Sequence, residues 1–290
     1  MNASWITWGD PCPAPAKLNL FLHVLGRRPD GYHTLQTVFR FLEYGDVLRF
    51  YPRTDTHIHR VNPLAGVSPD EDLCVRAARL LQPYARRNAG VDIVLEKNLP
   101  MGGGLGGGSS DAATVLRVLN HLWDCRLSRP TLQQLGLSLG ADVPVFVFGQ
   151  NAFAEGVGET LRPVSLLPNT YLVLEPPVTV PTPQIFRDPN LCRNTPPIDP
   201  LDWQEGLGHN DLEPVACALF PEICAHLDWL NSFAPARMTG SGACVFASFP
   251  NRETAATVQA QAPSGIRSWI AEGLAIHPLE SRLPAPPSDT

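Results

Sequence analysis

Residues 100–110 read PMGGGLGGGSS and could bind a phosphate through their backbone. Six of these eleven residues are glycine, which costs about 0.5–1 kcal/mol relative to alanine inside a regular element. Such a cluster therefore indicates a role for the bare backbone and not for packing. A strand-like run, 91–96, precedes it and a helix-like run, 110–123, follows it. This order aims free N–H groups and the positive end of a helix at an anion, usually a phosphate.

Three kinds of phosphate loop can be compared with this segment. A Walker loop is excluded, because no lysine follows the glycines. The dinucleotide fingerprint is matched by Gly102, Gly104 and Gly107, but the match is nearly unavoidable in a run so rich in glycine. The third form is a kinase loop, G-L-G-G-G-S-S-D-A-A, which is present without interruption from Gly104. A loop that binds no ligand is the remaining alternative, although long glycine loops in compact domains are usually functional.

The elements around the loop predict α+β layers. Residues 17–24 alternate between apolar and other side chains as a strand does, and 37–50 predict one or two further strands. Apolar residues recur at helical spacing over 72–84. They do so again in the segment after the glycine loop, where the apolar helical face ends at Trp123. Ser109 or Ser110 is expected to cap that helix. Strands and helices interleave in the second half as well, which favours α+β over a doubly wound sheet.

Composition excludes several classes of protein. The 290 residues carry a formal charge of −6 and no basic cluster longer than a pair, so nucleic acid is not an expected partner. Seven scattered cysteines without a C-x-x-C pair indicate free thiols, and the histidines lack the spacing of a zinc site. The longest apolar run, 143–148, is too short to cross a bilayer, and no signal peptide is recognisable. We expect a cytoplasmic protein without a membrane partner.

The proline distribution suggests how the chain divides. A proline-rich segment begins just past the middle, and we place a boundary shortly before it. The predicted parts are residues 1–163 as an N-terminal domain, 164–283 as a C-terminal domain, and 284–290 as a frayed tail.

Several segments together resemble the GHMP kinases, a superfamily of small-molecule kinases. They are PAKLNL at 15–20, GRRPDGYHTL at 26–35, the glycine loop at 100–110, GADVPVF at 140–146, AEGVGE at 154–159, VPTPQIF at 180–186 and MTGSGACVF at 238–246. The resemblance runs from about Pro15 to Leu279. It implies a two-domain fold, with an N-terminal ribosomal-protein-S5-domain-2-like ATP-binding domain, a C-terminal ferredoxin-like domain and the site between them.

The resemblance also implies an activity. Within the superfamily, the resemblance is most specific to kinases that phosphorylate the 2-hydroxyl of 4-diphosphocytidyl-2-C-methyl-D-erythritol in the non-mevalonate isoprenoid pathway. It implies that ATP is the phosphoryl donor and that Mg²⁺ accompanies it. The implied partner is thus a small molecule with a cytidine diphosphate group, acted on by a monomer or weak homodimer. A homoserine or mevalonate type of kinase is an alternative. A Rossmann-type oxidoreductase and a catalytically silent nucleotide-binding module stay open as different classes.

The same resemblance assigns residues to roles. Asp142 is the implied general base and Lys17 its cationic partner; without the resemblance, Asp142 reads as a helix cap and Lys17 as a solvated lysine. Ser109, Ser110 and Asp111 could contact phosphate or Mg²⁺, and Lys97 could reach the nucleotide. The nucleotide set is Pro100, Met101, Gly102, Gly103, Gly104, Leu105, Gly106, Gly107, Gly108, Ser109 and Ser110. The substrate set is Asn19, Tyr32, His33, Thr182 and Phe186, with the aromatic rings stacking on a base, and residues 239–242 shape the phosphate site.

Overall fold

A computed structural model describes residues 5–87 and 89–287. The last three residues of the expected tail lie outside the described residues. The strands are β1 Cys12–Arg27, β2 His33–Pro52, β3 Ile58–Arg60, β4 Val91–Glu96, β5 Ala152–Glu155, β6 Thr160–Pro163, β7 Thr170–Glu175, β8 Ala236–Met238, β9 Val245–Phe249 and β10 Arg267–Leu274. The helices are α1 Leu73–Leu81, α2 Gly107–Leu122, α3 Arg129–Leu137, α4 Val143–Phe148, α5 Thr182–Arg187, α6 Glu213–Leu219, α7 Pro221–Asn231 and α8 Arg252–Gln259.

The strands form one largely antiparallel sheet. Its order is β3-β4-β2-β10-β7-β9-β8, with β1 and β5 also paired to β2, and β6 paired to β5. Among the described strands, only β3 and β4 run parallel to each other. Antiparallel strands with helices packed on them are the α+β layers that the sequence predicts.

The first two strands are longer and more deeply buried than alternation alone predicts. β1 has 16 residues and β2 has 20, and they pair antiparallel over most of their length. Cys12 and Ala14 pack in a core with α1 and α2, whereas Ala16 and Leu18 pack in a second core with Tyr171. Because β1 lies between two cores, even its polar residues are withdrawn from water.

Helix α2 begins earlier than the sequence suggests. Gly106 adopts a left-handed conformation with φ +70° and precedes the helix directly, so Gly107 is already helical. The prediction that Ser109 or Ser110 caps this helix is therefore wrong. Ser110 lies inside the first turn, where its N–H donates to the carbonyl of Gly106 at 2.8 Å.

The last strand connects the two halves of the sheet. β10 pairs with β7 along most of its length and meets β2 at Gly273 and Leu274. Leu279 and Leu283 then pack into the first core. The division at residue 163 stays a prediction. No helix among the described residues is both long and apolar enough to span a membrane.

Candidate active site

A cleft of about 290 Å³ lies where segments distant in sequence meet. β1, the glycine loop, the start of α4, the start of α5 and the turn after β8 all contribute to its walls. Its lining residues are Lys17, Asn19, Leu22, Gly102, Gly104, Gly106, Ser109, Ala141, Asp142, Thr182, Phe186, Leu212, Gly240, Ser241 and Gly242. The structure thus brings Lys17 and Asp142 together with parts of the nucleotide and substrate sets.

Lys17 and Asp142 form an ion pair across this cleft. The Nζ–Oδ2 distance is 3.2 Å, and the side chains are 3% and 35% exposed. Asp142 immediately precedes α4, but its side chain makes no capping hydrogen bond. Its carboxylate is consequently directed at Lys17 and the cleft, which supports the chemical interpretation over the capping one.

The Lys17 ammonium is held by two further acceptors. It donates to Oδ1 of Asn19 at 2.5 Å and to the carbonyl of Gly104 at 2.9 Å. Asn19 in turn donates from Nδ2 to Thr37 Oγ1 at 2.9 Å. Lys17 and Asn19, two residues apart on β1, therefore share one face of the strand. A buried cation with fixed partners is pre-organised to stabilise negative charge without rearranging.

The glycine loop takes a conformation that glycine alone adopts easily. Gly102, Gly104 and Gly106 have φ of +70°, +73° and +70°. A Cβ at Gly104 would lie 2.1 Å from the carbonyl oxygen of Thr239, so the loop sits directly on the turn after β8. The N–H of Cys244 also donates to the Gly103 carbonyl at 3.1 Å. The loop is therefore held against both Thr239 and Cys244, the residues that follow β8 and precede β9.

Replacing Gly104 by alanine is expected to weaken ATP binding by at least about 10-fold, because both the strained φ and the contact with Thr239 displace the loop. Gly206→Ala is the matched control: its φ is +96°, but nothing lies within 4 Å of the added Cβ. Titration calorimetry with an ATP analogue measures the affinity of both variants, and a thermal melt measures their stability. Because Gly206→Ala changes only the preference for positive φ, the comparison separates the effect of φ from the effect of the contact with Thr239. Equal ATP affinities in the two variants would contradict the role of this contact.

The start of α2 carries polar groups that are suited to binding an anion. No side chain caps this helix of 16 residues, so its first N–H groups have no side-chain partner. Within the described residues, the buried Ser110 Oγ and Asp111 Oδ1 also lack hydrogen-bond partners. Uncapped N–H groups beside a glycine loop fit a phosphate. Free hydroxyl and carboxylate oxygens are ligands that suit Mg²⁺.

A second cavity of about 350 Å³ lies against the same loop. Lys97 lines it and binds two carboxylates, with its Nζ 2.5 Å from Asp46 Oδ2 and 2.8 Å from Asp111 Oδ2. Burial raises the pKa of Asp111, and the Asp46 charge adds to that rise whereas Lys97 opposes it. Lys97 is thus no ordinary surface lysine. The chain has only two lysines, and both lie beside the glycine loop.

Two of the three aromatic residues predicted to bind a base contact each other, and the third is exposed. His33 is 9% exposed and stacks on Phe186, with ring centroids 4.9 Å apart and planes inclined by 26°. Tyr32 is 64% exposed. The His33 and Phe186 rings are in direct contact with each other. That these aromatic rings stack on a base stays a prediction. Phe186 still lines the cleft, so its ring is accessible to a ligand there.

Two hydroxyls and one amide lie on the side of the cleft formed by α5 and the turn after β8. Thr182 Oγ1 and Ser241 Oγ are 2.7 Å apart. Asn210 donates from Nδ2 to the carbonyls of Met238 and Gly240, at 2.8 Å each, and so fixes the turn that carries Ser241. Sequence reasoning missed Asn210; its signal was an Asn-Asp pair directly before a helical run.

A third cavity, of about 740 Å³, shares no residue with the glycine loop. It is lined by residues such as Trp5, Arg117 and Arg129 and by the chain end up to Pro287. Cavity size alone therefore does not identify the candidate site, which is placed at the cleft that holds the Lys17–Asp142 ion pair.

Two family models match the chain. Residues 72–150 match the GHMP kinases N terminal domain, and residues 197–266 match the GHMP kinases C terminal model. The 4-diphosphocytidyl-2-C-methyl-D-erythritol kinase of Dechloromonas aromatica (strain RCB) is 61% identical over 268 residues, which cover 92% of this chain and 98% of that protein. The kinase of the same name from Thiobacillus denitrificans is 59% identical, covering 94% and 98%. This chain belongs to the 4-diphosphocytidyl-2-C-methyl-D-erythritol kinase family.

Solved structures agree with this family. A crystal structure of 4-(cytidine 5'-diphospho)-2C-methyl-D-erythritol kinase superposes with a TM-score of 0.77 at 35% identity, covering 91% of this chain and 99% of the other. Mevalonate kinase from Methanococcus jannaschii gives a TM-score of 0.65 at 14% identity over 92% and 98% of the two chains. The two-domain GHMP kinase fold that the motifs predict is confirmed.

Membership in this kinase family decides between the classes that the sequence left open. The chain is an ATP-dependent small-molecule kinase of the GHMP type. The Rossmann-type oxidoreductase alternative is wrong, and the antiparallel sheet explains why its fingerprint matched only by chance. A mevalonate kinase and a homoserine kinase share the fold with this chain at 14% and 16% identity.

Proposed function

We propose that this protein transfers the γ-phosphoryl group of ATP to the 2-hydroxyl of 4-diphosphocytidyl-2-C-methyl-D-erythritol in isoprenoid precursor synthesis, with Asp142 and Lys17 as catalytic residues. The observation that carries the proposal is the 3.2 Å pair of Lys17 and Asp142 in the cleft beside the glycine loop. A phosphoryl acceptor alcohol needs a positioned group for its proton and a cation beside the transferring phosphoryl.

The residues of the cleft suggest how the steps are divided. Asp142 takes the proton of the substrate hydroxyl as its oxygen forms a bond to the γ-phosphorus and the bond to ADP breaks. Lys17 stabilises the charge on the transferring group and keeps the Asp142 carboxylate in place. The glycine loop and the uncapped N-terminus of α2 bind the triphosphate.

Mg²⁺ would be held by oxygens at the start of α2. The candidates are Ser110 Oγ and Asp111 Oδ1, with Ser109 one residue earlier. When bound, the ion neutralises charge on the phosphates. The nucleoside of ATP occupies the 350 Å³ cavity between the loop, Leu73 and Lys97. The substrate lies in the smaller cleft, near Thr182, Asn19 and Phe186.

Replacing Phe186 by alanine tests the substrate assignment. Losing one stacking partner of a base costs about 1–3 kcal/mol, so KM for the cytidyl substrate should rise by about 5- to 150-fold while KM for ATP stays unchanged. The matched control is Phe233→Ala, at a phenylalanine that is 39% exposed and lies two residues after α7. ADP release is measured with a panel of acceptor alcohols. If the wild-type protein prefers homoserine or mevalonate, or if the KM for ATP rises equally, the assignment fails.

A further inference from the structure

Arg193 lies outside every motif but touches the aromatic pair of the substrate side. It follows α5, and its Nη2 donates to the carbonyls of Phe186 at 2.8 Å and Asp188 at 2.7 Å. Its Nη1 donates to the Leu191 carbonyl at 3.0 Å. Its Nε donates to Nε2 of His33 at 3.3 Å. Four hydrogen bonds therefore fix one guanidinium between the end of α5 and the start of β2.

The contact with His33 determines where the imidazole proton is. A guanidinium has only donors, so Nε2 of His33 must accept and must carry its lone pair. In the neutral ring the proton then resides on Nδ1. Among the described residues, the His33 ring makes one hydrogen bond, the one from Arg193 to Nε2, and none at Nδ1. His33 consequently offers a donor that the protein itself does not use.

The charges around His33 favour this neutral form. Burial lowers the pKa of His33, and the positive charges of Arg193 and then Arg27 lower it further. The imidazole is also packed flat against Phe186, which lines the cleft. A depressed pKa means that the ring stays neutral, with one fixed tautomer, at pH values where an ordinary histidine begins to take up a second proton.

We infer that Arg193 is a positioning residue for substrate recognition: it keeps the proton of His33 on Nδ1, so that the ring donates to an acceptor atom of the substrate's pyrimidine base. The inference rests on the proposed function, because it needs a substrate that carries such a base. It assigns Arg193 no contact with the substrate itself.

The test is the pH dependence of substrate affinity in Arg193→Met, measured by calorimetry with the cytidyl substrate. At about pH 8 the freed imidazole shares its proton between both nitrogens, and Kd should rise by about 3- to 10-fold. Burial and Arg27 still lower the pKa of His33 in this variant, so the pH is taken down to about 5. As both nitrogens become protonated, Nδ1 donates again, and Kd should return to within about 2-fold of the wild-type value once the ring is charged. Wild-type Kd should stay nearly constant over this range.

A purely structural role would give a different result, since loss of the three carbonyl contacts would weaken binding equally at both pH values. That outcome, or no change in Kd, would overturn the inference. Arg187→Met, at an exposed arginine in the last turn of α5, is the matched control. His33→Asn places an amide donor near Nδ1, and in that background Arg193→Met should show no recovery at low pH. If the wild-type protein neither binds nor phosphorylates the cytidyl substrate, the proposed function fails instead.

Discussion

Replacing Asp142 by asparagine is expected to lower kcat by about 10²- to 10⁴-fold, because an amide cannot take up the proton of the acceptor hydroxyl. The side chain keeps its size, so the cleft keeps its shape. ATP affinity should be unchanged, since Asp142 contacts Lys17 and makes no hydrogen bond to the glycine loop. Single-turnover ADP release gives the rate, and calorimetry with an ATP analogue gives the affinity.

The control for Asp142→Asn removes the same charge elsewhere. Asp202 is exposed in the loop before Trp203, and Asp202→Asn should keep the wild-type kcat. A kcat for Asp142→Asn within about 3-fold of wild type would show that this carboxylate does not act as a base, since even weak general-base catalysis contributes more.

Replacing Lys17 by methionine should lower kcat by about 10²- to 10³-fold, the loss typical for removing one pre-organised donor from a transition state. ATP affinity should fall as well, which distinguishes this variant from Asp142→Asn. The reason is that Lys17 also donates to the carbonyl of Gly104 and so secures the glycine loop. Steady-state kinetics and calorimetry of the same preparation measure both effects.

Lys17→Arg should not rescue the activity, although it keeps the charge. A Cβ at Gly106 would already lie 3.0 Å from Lys17 Cγ and 3.0 Å from Phe146, so the site has no room for a planar guanidinium. Arg162→Met, whose side chain is 61% exposed, controls for a change in net charge alone. Full activity of Lys17→Arg would mean that charge without geometry is sufficient and would contradict this account.

Some elements of the site follow from local sequence. The glycine run specifies a loop because only glycine adopts positive φ at little cost, and Gly102, Gly104 and Gly106 all do so. The apolar face after the loop predicts α2, whose start was misplaced because Gly106 initiates the helix without a side-chain cap. The alternation at residues 17–24 predicts a strand, but it cannot show that both faces of β1 are covered.

The kinase motifs were recognisable in the sequence. They predicted that Lys17 and Asp142 share one site, but this prediction came from resemblance to known kinases and not from a physical argument about the chain. The residues are 125 positions apart, and only the packing of β1 against the loop and α4 brings their charged atoms to 3.2 Å. The contact of Arg193 with His33, 160 positions away, had no local signal at all. Local patterns encode backbone conformation and amphipathic faces, because those depend on near neighbours. Which charged groups meet, and which are withdrawn from water, depends on sheet register and on the packing of remote segments, and these are decided by the tertiary structure.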